Sequence, residues 1–408
     1  MLRRLPIPSV AKALAKSVLL PPLRALRSSG WVEPLPLEKI KPGRLVVTGF
    51  HDEVMGLGRG AMLMIDAFRH LGLDPISAPI RPILNRYPGG GCVLPGENAG
   101  VWMVIANAPE SDVCLQALRP EAFAGRYRIA YWAWETTLAP ASWVKTAQWF
   151  HEIWTPSRFV AVALANCFDK AGHGALKARL RVQPHPWPRI AAASDRQRFN
   201  LIEGAFIALT MFDGRSSFAR KNPAGVIEAW IRAFPQPAPD RLLLVKTLPA
   251  SLDQPEWPAL QTPIERRSDI RVIADKLDDE GMEALLASID LLISLHRSEG
   301  FGLPIFEALS LGKSVLTTDY SAPSEFISAE SAFLVAAREV DVSDPSGTYR
   351  FGAWGEPDLT ETALRLREIA ERPDLRAVRV LAAQRTSERL DRWWSQAAID
   401  AMPWRSLI

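Results

Sequence analysis

The sequence predicts an α/β protein with two Rossmann-like parallel-sheet domains facing each other across a cleft. Three observations carry this expectation. Short apolar runs that read as buried strands alternate with helical runs, which is the signature of βαβ units. The alternation occurs twice, once from Arg44 and again from about Phe206. Between the two series lies Pro184-His185-Pro186-Trp187-Pro188, which can continue neither a helix nor a central strand.

In the first series, Leu45 to Gly49 reads as a strand, followed by the glycine-rich Gly56-Leu57-Gly58-Arg59-Gly60 and a helical run from about 61 to 71. Further strand-like runs fall near 101–105, 127–133 and 179–183, with helical stretches near 142–150 and 157–169. In the second series the strand candidates are 206–212, 241–245, 270–274, 291–295, 314–318 and 333–335. Helical patterns lie at 223–234, 280–288, 304–311 and 358–371. The resulting domains are a basic amphipathic arm (1–42), a first Rossmann-like domain (43–188), a second one (189–375) and a helical C-terminal segment (376–408) placed to cross back onto the first. In such sheets, ligands bind at the carboxyl ends of the strands.

Composition narrows the function classes. The 408 residues carry 48 Lys and Arg against 45 Asp and Glu, a net charge of +3, which implies no nucleic-acid surface. The arm is locally different: Arg3, Arg4, Lys12, Lys16, Arg24 and Arg27 stand among recurring leucines, a pattern suited to an anionic membrane face or to packing on the domain. No apolar run of about 18 residues exists and no signal peptide is evident, so the chain reads as cytoplasmic, peripheral to the inner membrane face. Cys92, Cys114 and Cys167 are odd in number and scattered, as for reduced thiols. No Asp-x-Asp at a strand end and no metal-ligand spacing is present, so no metal or other cofactor is expected.

The most informative stretch runs from Leu292 to Leu309. A buried strand passes into a loop with Gly300 and Gly302, and Pro304 then suits a first helical turn. Free amides at such a helix start favour a diphosphate, and glycines let backbone approach an anion. Glu299 in the loop and Glu307 in the helix can each accept hydrogen bonds from sugar or ribose hydroxyls.

Glu299 to Glu307, with His296-Arg297-Ser298-Glu299-Gly300-Phe301-Gly302-Leu303, resembles the Glu-x7-Glu signature of the family-4 (group 1) retaining glycosyltransferases, its bacterial polysaccharide-type members above all. The resemblance covers about residues 44–372. It implies the GT-B fold, with Glu299 on the donor sugar, Glu307 on the nucleotide ribose, and Gly300, Phe301, Gly302 and Leu303 lining the donor site. The loop from Phe212 to Pro223 is similar to the family's Arg…Lys loop, whose cations neutralise the leaving diphosphate. Lys221 fits the lysine, and Arg215 and Arg220 compete for the arginine. Gly56 and Gly58 resemble the loop near the donor phosphate. Glu135 and His51 are acceptor-side candidates. Thr317 to Ser321 and Trp354 to Asp358 also resemble the subgroup and read as structural.

The implied activity is retaining, metal-independent transfer, of a hexosyl group in the first instance, from a UDP- or GDP-sugar to a glycan or lipid-linked acceptor in polysaccharide synthesis. A GT-B sugar-nucleotide epimerase and a non-catalytic glycan-binding scaffold are the alternatives. No clear acid–base pair supports the epimerase, and Glu299, Glu307 and Lys221 together argue against the scaffold.

Overall fold

The computed structural model describes residues 33–53, 55–87 and 90–408; most of the predicted arm, residues 1–32, lies outside them. The described residues fall into two compact units. The first holds those through Trp132 with 142–154 and 400–408, and the second holds 133–141 and 155–399.

The first sheet contains β1 (Leu45–Gly49), β2 (Ile76–Pro79), β3 (Val101–Ile105), β4 (Tyr127–Tyr131), β5 (Glu152–Thr155) and β6 (Leu180–Val182), in the order β2-β1-β3-β4-β5-β6. Its central strands β1, β3 and β4 are buried throughout, as strands between two covered faces should be, although β4 carries the buried Arg128. Thr48, the polar residue of β1, satisfies its hydroxyl by accepting from Trp102 Nε1 at 2.9 Å.

The second sheet contains β7 (Phe206–Met211), β8 (Arg241–Lys246), β9 (Ile270–Ile273), β10 (Leu291–Ser294), β11 (Ser314–Thr318) and β12 (Phe333–Val335), in the order β12-β11-β10-β7-β8-β9. The strands are parallel, with Leu291 opposite Ala208 and Ser314 opposite Leu291. Strand order reverses between β7 and β10, so the loops leaving these two strands flank the crevice at a topological switch point. Helices Pro223–Ala233 and Leu359–Glu371 bury Val226, Ile227, Trp230, Leu366 and Ile369 against the sheet. A hairpin of β13 (Ala337–Asp341) and β14 (Ala353–Pro357) follows, pairing antiparallel.

Several elements were not expected. β2, β5 and the helices Ile80–Arg86, Ala108–Ala117 and Trp257–Glu265 lie in stretches with no clear period, and β13 and β14 in a polar one. The glycine-rich 56–60 is not a loop; it is the first turn of the helix Gly56–His70. Gly58 is buried there, and a side chain has no room, because a Cβ would lie 2.4 Å from Phe50 O and 2.5 Å from Glu53 O. The C-terminal segment is broken rather than continuous: a helix Pro373–Asp391 precedes shorter turns. Residues 400–408 belong to the first unit, where Trp404 packs on Phe68 and Trp154 and Gly43 N donates to Leu407 O. Cys92, Cys114 and Cys167 are free thiols. Among the described residues no helix is long and apolar enough to cross a membrane.

Candidate functional site

The switch-point loops of the second unit are built to hold polar groups under the sheet's carboxyl edge. After β7 the chain turns through Asp213, whose carboxylate accepts from the Arg215 amide at 3.0 Å. Ser217 then takes φ +83°, a left-handed conformation that costs a non-glycine residue energy. Its Oγ accepts from Arg220 N at 3.1 Å and so starts the turn Phe218–Lys221. Asn222 (φ +53°) ends this turn and caps the next helix, accepting from Gly225 N at 3.1 Å.

The loop after β10 is stitched to this one. Arg297 N donates to Arg220 O at 2.7 Å, Asn222 Nδ2 to Leu295 O at 3.0 Å, and Arg220 to Ser298 O at 3.0 Å. Arg297 itself reaches Ala219 O and forms a two-point ion pair with Glu356. The stitching brings Glu299 onto both cations. Lys221 Nζ lies 2.5 Å from Glu299 Oε1, and an Arg220 guanidinium nitrogen lies 3.1 Å from Oε2.

All three side chains are largely buried: 4% of Arg220, 10% of Glu299 and 19% of Lys221 is exposed. Burial alone would raise the Glu299 carboxyl, but Lys221 and Arg220 outweigh it and bring its pKa down to about 2. Burial pulls the Lys221 ammonium below its ordinary value, opposed by Glu299. With the carboxyl so low, the proton of this pair stays on lysine. His296, also buried, is held neutral, its pKa lowered to about 4 by burial despite the nearby Glu299.

The helix Leu303–Ser310 starts immediately beyond. Gly302 is its N-cap at φ +93°, and a Cβ there would meet Ile305 and Pro323 at 3.1 and 3.2 Å. Of the two loop glycines, only Gly302 needs to be glycine on these grounds. A Cβ on Gly300 would sit 3.5 Å from Ala133 Cβ, an ordinary contact. Ser157 Oγ fixes the Gly300 carbonyl at 2.9 Å, and Phe301 stacks on Phe306 with centroids 4.4 Å apart. Leu303 is buried at the first helical position, and Glu307 is half-buried one turn further on.

The structure separates the two competing arginines. Arg215 is 55% exposed and pairs with Asp213 at 2.7 Å, whereas Arg220 is enclosed and bound to Glu299. Glu135, expected within 43–188, lies in the second unit, where it accepts from the Tyr349 hydroxyl at 2.7 Å. His51 lies in the first unit at the end of β1, 2.7 Å from Ser77 Oγ, with its pKa lowered by burial. Gly56 is exposed at the start of the helix in that unit.

Sequence reading missed Tyr349, Asp344 and Ser217. The turn residues Asp344-Pro345-Ser346-Gly347 were the available signal for a hairpin. The long connection between β13 and β14 hid the pairing. Among the described residues, no group of three or more His, Cys, Asp or Glu is arranged to hold a metal ion.

Residues 210–344, which contain this cluster, match the family of group 1 glycosyl transferases. No curated protein matches the chain. Solved structures do. HepE of Anabaena, in complex with UDP and glucose, aligns with a TM-score of 0.59 at 12% identity, covering 87% of this chain and 96% of its own. A glycosyltransferase from Rickettsia africae aligns at 0.57 and 13%, covering 89% and 97%. The E. coli structure described as trehalose-6-phosphate bound with UDP-2-fluoro glucose aligns at 0.56 and 10%, covering 90% and 100%. The shared fold is GT-B, and the resemblance to group 1 glycosyltransferases read from the sequence stands.

Proposed function

From a chain whose residues 210–344 match the group 1 glycosyl transferases, we propose that this protein transfers a sugar from a nucleotide diphosphate sugar to a glycan or lipid-linked acceptor. The observation that carries the reading is the Lys221–Glu299–Arg220 cluster, set at the switch point beside the Gly302-capped helix. UDP is the favoured nucleotide, because HepE and the E. coli relative are described with UDP or a UDP-sugar.

In this reading Glu299 accepts hydrogen bonds from donor-sugar hydroxyls, which an ionised carboxylate does well and a protonated one does poorly. Glu307 accepts from the ribose. As the sugar–phosphate bond breaks, charge gathers on the leaving diphosphate. Lys221 neutralises it together with Arg215, the arginine whose guanidinium reaches solvent, while Arg220 stays on Glu299. The first amides of the helix Leu303–Ser310 add their partial positive charge. The cations serve in place of a metal. Attack from the leaving group's own face, with a phosphate oxygen taking the acceptor proton, retains the anomeric configuration and needs no protein base. The basic residues 1–42 favour an acceptor held at an anionic membrane face.

The deciding experiment screens nucleotide sugars by thermal shift and then follows the stabilising donor with an acceptor by NMR. A UDP-sugar should raise the Tm, since a ligand that binds only the folded state stabilises it by mass action. Transfer should proceed in EDTA and yield the donor's anomer. No stabilisation by any nucleotide or nucleotide sugar overturns the proposal. Loss of turnover in EDTA, restored by manganese, overturns its metal-independent form. An inverted product overturns retention.

A further inference from the structure

The buried arginine is gripped from outside the two group 1 loops. Tyr349, in the connection between β13 and β14, is 6% exposed. Its ring centroid lies 5.7 Å from the Arg220 guanidinium carbon. Its hydroxyl donates to Glu135 Oε2 at 2.7 Å, and Trp134 packs on the same ring at 5.1 Å. Burial raises the Tyr349 phenol well above its ordinary value, so it remains a donor across the neutral range. Asp344, in the same connection, takes the Ser217 hydroxyl at 2.9 Å and the Tyr349 amide at 3.0 Å. Ser217 in turn receives the Arg220 amide.

The connection therefore holds Arg220 twice, by its main chain through Asp344 and Ser217 and by its side chain through Tyr349. Segment 135–137 is fastened to the same place: Ala353 N donates to Thr137 Oγ1 at 2.8 Å. Among the described residues Arg220 Nε has no hydrogen-bond partner. The Tyr349 ring face thus contributes directly to restraining a guanidinium whose other edge sets Glu299 Oε2 and Ser298 O.

We propose that Tyr349, locked by Glu135, is a positioning residue that acts through Arg220 to fix the Glu299 carboxylate. Its consequence for catalysis rests on the sugar-transfer reading above. The consequence for Arg220 itself does not.

The test uses the full chain with Tyr349→Phe, Glu135→Ala and Glu135→Gln. Tyr349→Phe and Glu135→Ala should each lower kcat about tenfold, less than the ~10²-fold cost of a 1 Å misplacement, while leaving the UDP Kd unchanged. The double variant should be no worse than either single one, because both break one link. Glu135→Gln keeps an acceptor oxygen for the Tyr349 hydroxyl and should restore most of kcat. A kcat unchanged in Tyr349→Phe overturns the proposal, and so does a fall in kcat that tracks loss of UDP affinity and Tm, the pattern of a merely structural residue. If the wild type transfers no sugar, the function reading fails separately. Coupling is then read from Tm in a Tyr349→Phe/Arg220→Lys cycle. Losses smaller together than their sum support the positioning, and additive losses overturn it.

Discussion

Lys221 Nζ stands 2.5 Å from Glu299 Oε1 although 78 positions separate the two residues along the chain. The pair joins the loop after β7 to the loop after β10, and Arg220 occupies the second carboxylate oxygen at 3.1 Å. One buried carboxylate is thus shared by two buried cations. Breaking such a set by removing its anion costs more than the net worth of the pair, because the cations stay behind uncompensated.

Glu299→Gln should therefore destabilise the fold by about 3–5 kcal/mol, the usual cost of breaking a buried ion pair. Urea unfolding measures it. A midpoint equal to that of the wild type shows that the cations find solvent or other partners and that the cluster contributes little to stability. In the sugar-transfer reading the same variant also loses kcat, and UDP retained on the folded protein separates that loss from unfolding.

How much of this was legible beforehand follows from where the signal sits. β7 and β10 are apolar runs bounded by turn residues, and their central positions were read directly. Glu299 and Gly302 were legible because the strand–glycine–helix pattern has a physical meaning at a strand end, whereas Lys221 was pointed to only by the resemblance of its loop to the Arg…Lys loop of group 1 glycosyltransferases. The Arg215 and Arg220 choice was not legible, since spacing does not encode which guanidinium is enclosed. β2 and β5, four residues each, fall below what periodicity resolves. Glu135 reads from the sequence as following a first-domain strand. Its bond to Tyr349, 214 positions away, depends on tertiary packing that no local pattern announces.

The two arginines should part experimentally. Arg215→Ala removes an exposed cation whose ion pair with Asp213 contributes little, on the order of 0–1 kcal/mol for surface pairs. Its Tm should stay near wild type while UDP affinity falls about 10- to 100-fold, as for one lost charge-assisted contact worth roughly 1.5–3 kcal/mol. Arg220→Ala should instead lower the Tm markedly, because it leaves Glu299 and the Ser298 carbonyl short of a donor. Calorimetric titration with UDP and a melting curve on each variant decide. A stable Arg220→Ala protein that has lost UDP would reverse the assignment.

Acid stability has two phases with the same sign. The His296 pKa is lowered to about 4 by burial, so the unfolded chain, near 6.5, binds more protons between these values. Its contribution is complete above about 6.5 and declines as pH falls toward 4. Glu299, with its pKa lowered to about 2, contributes above the ordinary carboxylate range near 4.3 and declines as pH falls from there toward 2. Buried His185, with its pKa lowered to about 3, and His51, lowered as well, act in the same window and with the same sign, so stability measured by urea unfolding should drop from pH 6.5 downward through all three histidines. His296→Gln should make this upper phase shallower without abolishing it and should spare the lower one. A wild-type curve level between pH 6.5 and 4.5 would mean that His296 is solvated in solution.

The glycine pair offers the sharpest contrast at the helix start. Gly302 sits at φ +93°, where an L-residue loses on the order of 1–2 kcal/mol, and its new Cβ would press Ile305 Cδ1 at 3.1 Å and Pro323 Cγ at 3.2 Å. Gly300 has an ordinary backbone and room for a methyl group. Gly302→Ala should thus lower the Tm and tilt the helix Leu303–Ser310, weakening UDP binding as its first amides turn away. Gly300→Ala should melt close to wild type. Since the two positions differ by two residues in one loop, melting curves on both variants isolate backbone conformation from location. Equal losses would mean that the loop tolerates no side chain anywhere, and the N-cap geometry at Gly302 would cease to explain its glycine.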